Sequence, residues 1–149
     1  MVALYRKIKR FSIRTHYIYI EPVMNTNPVN LAVRFLLEIA MLITLGCWGW
    51  HLNSIGRYVA VAGLPIAAAV LWGMFRIPND PKPAPVAIPG IVRLLLEWGL
   101  FGFAAWALYD LGHATVSIAL SIIVVVHYFV SYDRSWAMLR NKPYKGFVK

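Results

Sequence analysis

The sequence predicts an all-α, polytopic membrane protein with four transmembrane helices. Three observations support this fold class. Of the 149 residues, 60% are hydrophobic and only 14% are charged, about half the usual charged share of a globular domain. Four segments each hold the roughly 20 apolar residues that cross a bilayer core. A water-soluble enzyme is excluded because so short a chain cannot bury that much apolar surface, and intrinsic disorder is excluded because it requires low hydrophobicity.

The transmembrane domain is predicted to cover residues 27–133. Its helices are expected at about residues 28–51, 57–76, 89–110 and 113–133. Asn27-Pro28 and Ile88-Pro89 place prolines where the first turn of a helix tolerates them. Aromatic residues cluster at the helix ends, as in the two aromatic belts of membrane proteins. No alternation of apolar and polar residues indicates strands, and helices satisfy their own backbone hydrogen bonds in lipid.

Two basic segments flank this domain. Residues 1–26 form an N-terminal extension that has three interpretations: an interfacial helix, a disordered tail, or residues preceding a native start at Met24. The latter two are favoured because residues 11–20 are rich in β-branched and aromatic side chains, which propagate a helix poorly. Residues 134–149 are expected to form a basic cytoplasmic tail.

Lysine and arginine are distributed unequally between the two predicted sides of the membrane. Both termini and the proline-rich linker between helices two and three are basic, whereas Arg57 alone lies on the opposite side. The positive-inside rule therefore places both termini in the cytoplasm. The formal net charge of +9 follows from this topology and from contact with anionic lipid headgroups. The predicted partner is the lipid bilayer, and no nucleic acid is needed to explain the charge.

Helices one and three contain a repeated charged hexapeptide. Residues 33–38 (VRFLLE) match residues 92–97 (VRLLLE) at five of six positions. Each unit is a helical hairpin that enters the membrane from the same side, and such parallel repeats are related by an axis along the membrane normal. The sequence therefore predicts a pseudo-two-fold four-helix bundle.

The repeat places Arg34, Glu38, Arg93 and Glu97 inside the membrane. A charge near the centre of a spanning helix costs roughly 2.5–3.5 kcal/mol, so these four residues need partners. Arginine and glutamate four residues apart share one helix face and could pair within each helix. However, glutamate before the basic residue is the better order for a local pair. We therefore expect pairing between helices, Arg34 with Glu97 and Arg93 with Glu38.

This charge layer has three interpretations. It is a sealed, neutral clamp that fixes the helix packing, or a polar site that opens to the cytoplasm and holds a small ion, a proton or a solute headgroup. In the third, the arginines extend to the lipid headgroups and leave the glutamates unpaired. His127 is an accessory candidate that could lie at the depth of Arg34 and titrate near neutral pH, although an interfacial histidine is the simpler interpretation.

The sequence contains no motif that predicts catalysis. The zinc-protease helix, the glycine-rich phosphate loop and the nucleophile elbow are all missing, and the single cysteine, Cys47, excludes a disulfide framework. His51, Asp110 and His113 meet at the outer helix ends, where a solvated loop is a simpler interpretation than a weak metal site. No metal and no cofactor are expected, and an enzyme is not favoured.

Several segments together resemble the YrdB family of small bacterial integral membrane proteins. They are the two charged hexapeptides, Trp48-Gly-Trp50, residues 69–73 (AVLWG) and the proline-rich linker, and the resemblance covers about residues 30–130. It implies four spanning helices and multi-pass insertion in the bacterial inner membrane. The family is a domain of unknown function, so the resemblance implies no substrate and no catalytic residues.

The sequence supports two functional hypotheses of different classes. The first is a non-enzymatic membrane protein that binds or moves a small solute, ion or proton at Arg34, Glu38, Arg93 and Glu97. Transport through so few helices would need a homodimer. The alternative is a structural or accessory subunit in which the same residues only hold the bundle together. A membrane enzyme, the third hypothesis, would be favoured by a large lateral cavity beside His127 that holds a lipid-like ligand.

Overall fold

The computed structural model describes residues 27–52, 55–78 and 84–142, and there the chain is almost entirely helical. The elements are, in order, α1 (Pro28–His51), α2 (Arg57–Met74), β1 (Phe75–Arg76), β2 (Val86–Ala87), α3 (Gly90–Asp110), α4 (Ala114–Val130) and α5 (Tyr132–Leu139). The all-α prediction is therefore confirmed. The predicted N-terminal extension, residues 1–26, lies outside the described residues.

Three helices are long and apolar enough to cross a membrane. The mean hydropathy of their most apolar windows is 1.8 in α1, 1.5 in α2 and 1.6 in α3. Helices α4 and α5 meet this criterion only together, and a bend of 79° separates them. The described chain thus has three candidate spans, or up to four if the bent pair is counted as one. Large apolar side chains such as Phe35, Ile66 and Phe129 are exposed on the outside of the helices, as a surface that faces lipid requires.

The start of α1 follows the capping pattern of its sequence. The Asn27 side-chain oxygen accepts a hydrogen bond from the backbone N–H of Val29 at 2.9 Å, and Pro28 occupies the first helical position. An asparagine cap satisfies one of the backbone donors that a helix leaves unpaired at its N-terminus. This end of α1 is therefore stabilised locally, before any packing against other helices.

The helices pack as two consecutive hairpins, α1 with α2 and α3 with α4, while α1 also contacts α3 and α4. Their shared core consists of Leu37, Met41, Leu45, Ala68, Phe101, Ala104 and Leu120. Gly49 permits the close approach of the first hairpin, because a Cβ atom there would lie 2.6 Å from the carbonyl of Ala60. At Gly99 and Gly102 of α3, by contrast, a Cβ atom would meet nothing within 4 Å.

The linker between the two hairpins returns the chain to the same end of the bundle. β1 pairs in parallel with β2, with Phe75 opposite Val86 and Arg76 opposite Ala87. The backbone N–H of Ile88 also donates to the carbonyl of Arg76 at 3.1 Å. These bonds hold the first residues after α2 beside the segment that leads into α3.

The structure differs from the expected basic tail at its beginning. Helix α4 ends at Val130, and α5 then leaves at a bend of 79° and packs against α3. Arg134 and Met138 are buried on its inner face. A hydrogen bond lies near each end of α5: Asn30 Nδ2 donates to Ser131 Oγ at 2.7 Å, and the backbone N–H of Gly90 donates to Asn141 Oδ1 at 2.9 Å.

Candidate functional site

The helical period places the arginine and glutamate of each hexapeptide on one face of their helix. In both copies they pair with each other. Arg34 Nε lies 3.2 Å from Glu38 Oε1 in α1, and Arg93 Nε lies 2.6 Å from Glu97 Oε1 in α3. The predicted exchange of partners between the helices is therefore wrong.

The two copies of the motif lie in different environments. The side chains of Arg93 and Glu97 are each 1% exposed, whereas those of Arg34 and Glu38 are 15% and 24% exposed. The difference arises because α5 packs against α3 but makes no comparable contact with α1. The pseudo-symmetry that the sequence predicts does not extend to the surroundings of the charges.

Glu97 is the centre of a buried cluster. Arg134, from α5, donates Nη2–H to Glu97 Oε1 at 2.7 Å and Nη1–H to Oε2 at 3.0 Å. The Tyr128 hydroxyl, from α4, donates to Oε2 at 2.6 Å. With Arg93 Nε, each carboxylate oxygen accepts two hydrogen bonds, which fills the roughly four acceptor positions of a carboxylate. The fork-to-fork contact with Arg134 is the bidentate geometry that makes such pairs strong.

Arg93 connects this cluster to the end of α2. Its Nη1 donates to the carbonyl of Trp72 at 2.8 Å and to that of Phe75. Carbonyl groups at a helix C-terminus lack partners within their own helix, so the guanidinium satisfies acceptors that would otherwise be unpaired. The same guanidinium lies 4.4 Å from the centroid of the Trp72 ring, a cation–π distance. Arg34 also approaches this ring, at 5.9 Å.

Among residues 27–52, 55–78 and 84–142, the group contains one charged residue more than the sequence predicts. Three guanidinium groups, of Arg34, Arg93 and Arg134, face the carboxylates of Glu38 and Glu97. The clamp that the sequence predicts is neutral and contains four residues. The fifth residue, Arg134, belongs to the segment predicted as a tail. Each buried ion needs several partners to offset its desolvation, and the carbonyls of α2 provide them for Arg93.

His127 of α4 directly precedes Tyr128 in the sequence, but it takes no part in the hydrogen bonds of the cluster. The residue is buried, and its ring centroid lies 6.0 Å from that of Tyr128. Its Nδ1 has no hydrogen-bond partner among residues 27–52, 55–78 and 84–142. The structure thus brings Arg34, Glu38, Arg93 and Glu97 to one end of the bundle, whereas His127 makes no hydrogen bond or ion pair with these four residues.

Sequence reasoning misses Tyr128 and Arg134 as members of this site. From the sequence, Tyr128 is explained by an aromatic belt, and Arg134 counts only toward the positive-inside rule. The sequence does, however, contain a signal for the helix that carries Arg134. Between residues 132 and 139, Arg134 and Met138 stand four positions apart, and the aromatic residues Tyr132 and Trp136 form a second stripe two positions away. This pattern is typical of a short helix with two distinct faces.

A second group of polar side chains, which the sequence places at the outer helix ends, consists of His51, Asp110 and His113. Asp110 Oδ2 accepts a hydrogen bond from the indole N–H of Trp48 at 2.9 Å, so this carboxylate is engaged in holding α1 against α3. In the part of the chain that the structure describes, no three histidine, cysteine, aspartate or glutamate side chains are grouped as a metal site would require. The structure therefore gives no support for a metal site at His51, Asp110 and His113.

Comparisons with known proteins agree on one family. A family model described as a protein of unknown function (DUF2568) matches residues 32–125. The chain is also 38% identical over 112 residues to the uncharacterized protein YrdB of Bacillus subtilis (strain 168), an alignment that covers 72% of this chain and 91% of that relative. No solved structure matches the chain. Neither similarity names a ligand, a substrate or a partner.

Proposed function

The chain belongs to the DUF2568 family of proteins of unknown function, and we propose that it is a non-enzymatic integral membrane protein with a structural or accessory role. In this proposal the cluster around Glu97 is a sealed clamp that fixes the arrangement of α2, α3, α4 and α5. The clamp carries no substrate. Its role is to give a small bundle one defined packing inside lipid, where the hydrophobic effect does not distinguish helix contacts from lipid contacts.

The proposed topology has four spans in a bacterial cell membrane, with both termini and the linker in the cytoplasm. It is supported by the position of Arg57 at the start of α2, as the one lysine or arginine on that side, against the many lysines and arginines of the other side. The arrangement as two repeated hairpins is supported by the packing of α1 on α2 and of α3 on α4. The bent pair α4 and α5 then forms the fourth span and an interfacial helix.

The observation that carries the clamp proposal is the saturation of Glu97. Both of its oxygens have two donors within hydrogen-bond distance, and its side chain is 1% exposed. A carboxylate that binds and releases a proton or cation needs a free lone pair and a path to water. Glu97 has all four acceptor positions occupied by protein groups. Its geometry therefore favours structure over transport.

A second candidate function rests on the first copy of the motif. Arg34 and Glu38 are partly exposed, at 15% and 24%, so Glu38 is the more accessible of the two intramembrane carboxylates. This exposure favours a site that binds or moves a small solute, ion or proton at α1. Because few helices surround it, such a path would need a second copy of the chain to complete it.

Two variants of the full-length protein separate these functions. In detergent, Glu97→Gln is expected to lower the unfolding temperature strongly, because removing one member of a buried ion pair costs about 3–5 kcal/mol. Glu38→Gln is expected to have a small effect, since a partly exposed pair contributes about 0.2–1 kcal/mol. Thermal unfolding followed by tryptophan fluorescence measures both changes.

The same variants are then reconstituted into liposomes that contain a pH-sensitive dye. The clamp proposal predicts that Glu38→Gln leaves proton entry at the wild-type rate. Normal unfolding temperatures in both variants, together with altered proton or solute entry in Glu38→Gln, would contradict the clamp and favour the second candidate.

A further inference from the structure

A large apolar groove opens on the side of the bundle, between α3 and α4 and above α5. Its volume is about 800 Å³, within the roughly 300–1,000 Å³ of small-molecule sites. The groove exists because Gly102 and Ala105 present little or no side chain on its floor. Trp98 and Phe129 stand at its rim and are 57% and 76% exposed, so the groove opens laterally, where lipid would be.

Three of the polar side chains in the groove wall are already engaged in hydrogen bonds. Tyr128 donates its hydroxyl proton to Glu97, Ser121 Oγ donates to the carbonyl of Ser117, and Ser135 Oγ donates to backbone carbonyls of the same helical region. Such a wall offers an occupant apolar contact and few directed hydrogen bonds. It is therefore suited to bind an acyl chain and not a polar solute. His127 is not among the lining residues, so the enzyme hypothesis gains nothing from the groove.

One end of the groove is basic. Trp136 of α5 forms part of the wall, and the guanidinium of Arg140 lies 4.3 Å from the centroid of its ring. Arg140 and Lys142 are both exposed. Arginine binds phosphate in a bidentate geometry, and tryptophan is enriched at the depth of lipid headgroups. The apolar groove therefore continues into a rim whose charge complements a phosphate group.

We propose that this groove binds one anionic phospholipid, with an acyl chain between α3 and α4 and the phosphate at Arg140. The 79° bend between α4 and α5 produces this shape, because it turns α5 across the end of the groove. A second copy of the chain is a less suitable occupant. In a two-fold dimer through this face, the basic ends of both α5 helices would lie at the same membrane depth and repel each other. The inference is independent of the role of Glu97.

The test measures lipid-dependent stability of the full-length protein in detergent. Phosphatidylglycerol is added to one sample and phosphatidylcholine to another, and the unfolding temperature is recorded. Gly102→Leu fills the groove, and Gly99→Leu is its matched control, because both glycines lie on α3 with open space around them but only Gly102 lines the groove. Arg140→Gln removes the phosphate contact. Arg57→Gln is its control, since Arg57 lies 5.8 Å from the centroid of Trp50 in a similar stack at the opposite end.

We expect phosphatidylglycerol to raise the unfolding temperature of the wild type, Gly99→Leu and Arg57→Gln by several degrees more than phosphatidylcholine does. Less than half of this difference should remain in Gly102→Leu and in Arg140→Gln. Native mass spectrometry should show one retained phosphatidylglycerol per wild-type chain and none in Gly102→Leu. Equal lipid shifts in all five proteins would overturn the proposal. So would a change from dimer to monomer in Gly102→Leu with lipid retention unaltered, because a second copy would then be the occupant.

Discussion

Glu38 and Glu97 occupy the same position of the same hexapeptide, yet only Glu97 is saturated with donors. Each has an arginine four residues before it in its own helix. The difference comes from residues distant in sequence, Tyr128 and Arg134, which donate to Glu97. The role of each carboxylate in this protein is therefore decided by what the fold places beside it and not by the motif that contains it.

Arg134→Gln is expected to lower the unfolding temperature in detergent markedly. The substitution removes two hydrogen bonds to a buried carboxylate and leaves Glu97 with one cationic partner, Arg93. Losing one member of such a pair costs about 3–5 kcal/mol. Arg140→Gln, just after the same helix but exposed, is the control and should unfold within about 0.5 kcal/mol of the wild type when no lipid is added. Equal losses in both variants would mean that Arg134 contributes only surface charge.

Tyr128→Phe isolates a single hydrogen bond of the cluster. A hydrogen bond to a charged group contributes about 1.5–3 kcal/mol, so this variant should lose less stability than Arg134→Gln. Tyr132→Phe, four residues later and exposed, should unfold like the wild type. Chemical denaturation in the same detergent measures the free energy of unfolding of Tyr128→Phe, Tyr132→Phe and Arg134→Gln. A loss of stability in Tyr128→Phe as small as that in Tyr132→Phe would contradict the contact with Glu97.

The charged residues of the site can be located from the sequence, but their pairing cannot. A whole helical pair of this spacing contributes only about 0.2–0.5 kcal/mol, so the preference between its two orders is a small energy, whereas leaving a buried ion without a partner costs several kcal/mol. In the structure the cost of an unpaired buried ion outweighs the preferred order. Arg93 and Glu97 pair locally, and Arg134 supplies two further hydrogen bonds to the Glu97 carboxylate from a segment that the sequence predicts as a basic tail.

At the scale of elements, α5 is the feature that determines the site. It carries Arg134 to Glu97 and forms one end of the apolar groove. The bounds of the long helices follow from apolar length, from Asn27-Pro28 and from the prolines before α3, and these signals are local in the sequence. The break between α4 and α5 at Ser131 has no such local signal. It involves a hydrogen bond from the distant residue Asn30 and the contact between α5 and α3.

Gly90 at the start of α3 permits that contact. A Cβ atom there would lie 2.6 Å from the Cα atom of Met138, so Gly90→Leu should displace α5 and loosen the bond between Arg134 and Glu97. Limited trypsin digestion should then cleave after Arg134 several times faster than in the wild type. Gly99→Leu on the same helix meets open space and should leave the cleavage rate unchanged. Resistance to trypsin in Gly90→Leu would show that α5 does not depend on this approach.

At the scale of the whole molecule, the apolar exterior and the basic residues act together. The exposed isoleucine, leucine and phenylalanine side chains of the helices are consistent with a membrane protein, and the uneven distribution of lysine and arginine supports the proposed orientation. The proposed repeat of two hairpins gives the bundle approximate symmetry, which α5 breaks by covering the second hairpin. The cluster around Glu97 and the apolar groove both lie at this second hairpin, and Tyr128 belongs to both.

The proposed orientation predicts the accessibility of single cysteines. With Cys47 replaced by serine, Ile55→Cys in the connection before α2 should react with a membrane-impermeant maleimide added to intact cells. Lys142→Cys after α5 should react only once the membrane is permeabilised. Ile55 is 89% exposed and Lys142 is also exposed, so neither position is shielded by the protein. The reverse labelling pattern would invert the topology.

The interaction between Glu97 and Arg134 is the most direct test of the clamp. A double-mutant cycle measures the free energy of unfolding in detergent for the wild type, Glu97→Gln, Arg134→Gln and the double variant. If the two side chains stabilise the bundle through each other, the double variant will lose less than the sum of the single losses, with a coupling energy of about 0.5–3 kcal/mol. Losses that add to within about 0.3 kcal/mol would contradict the clamp.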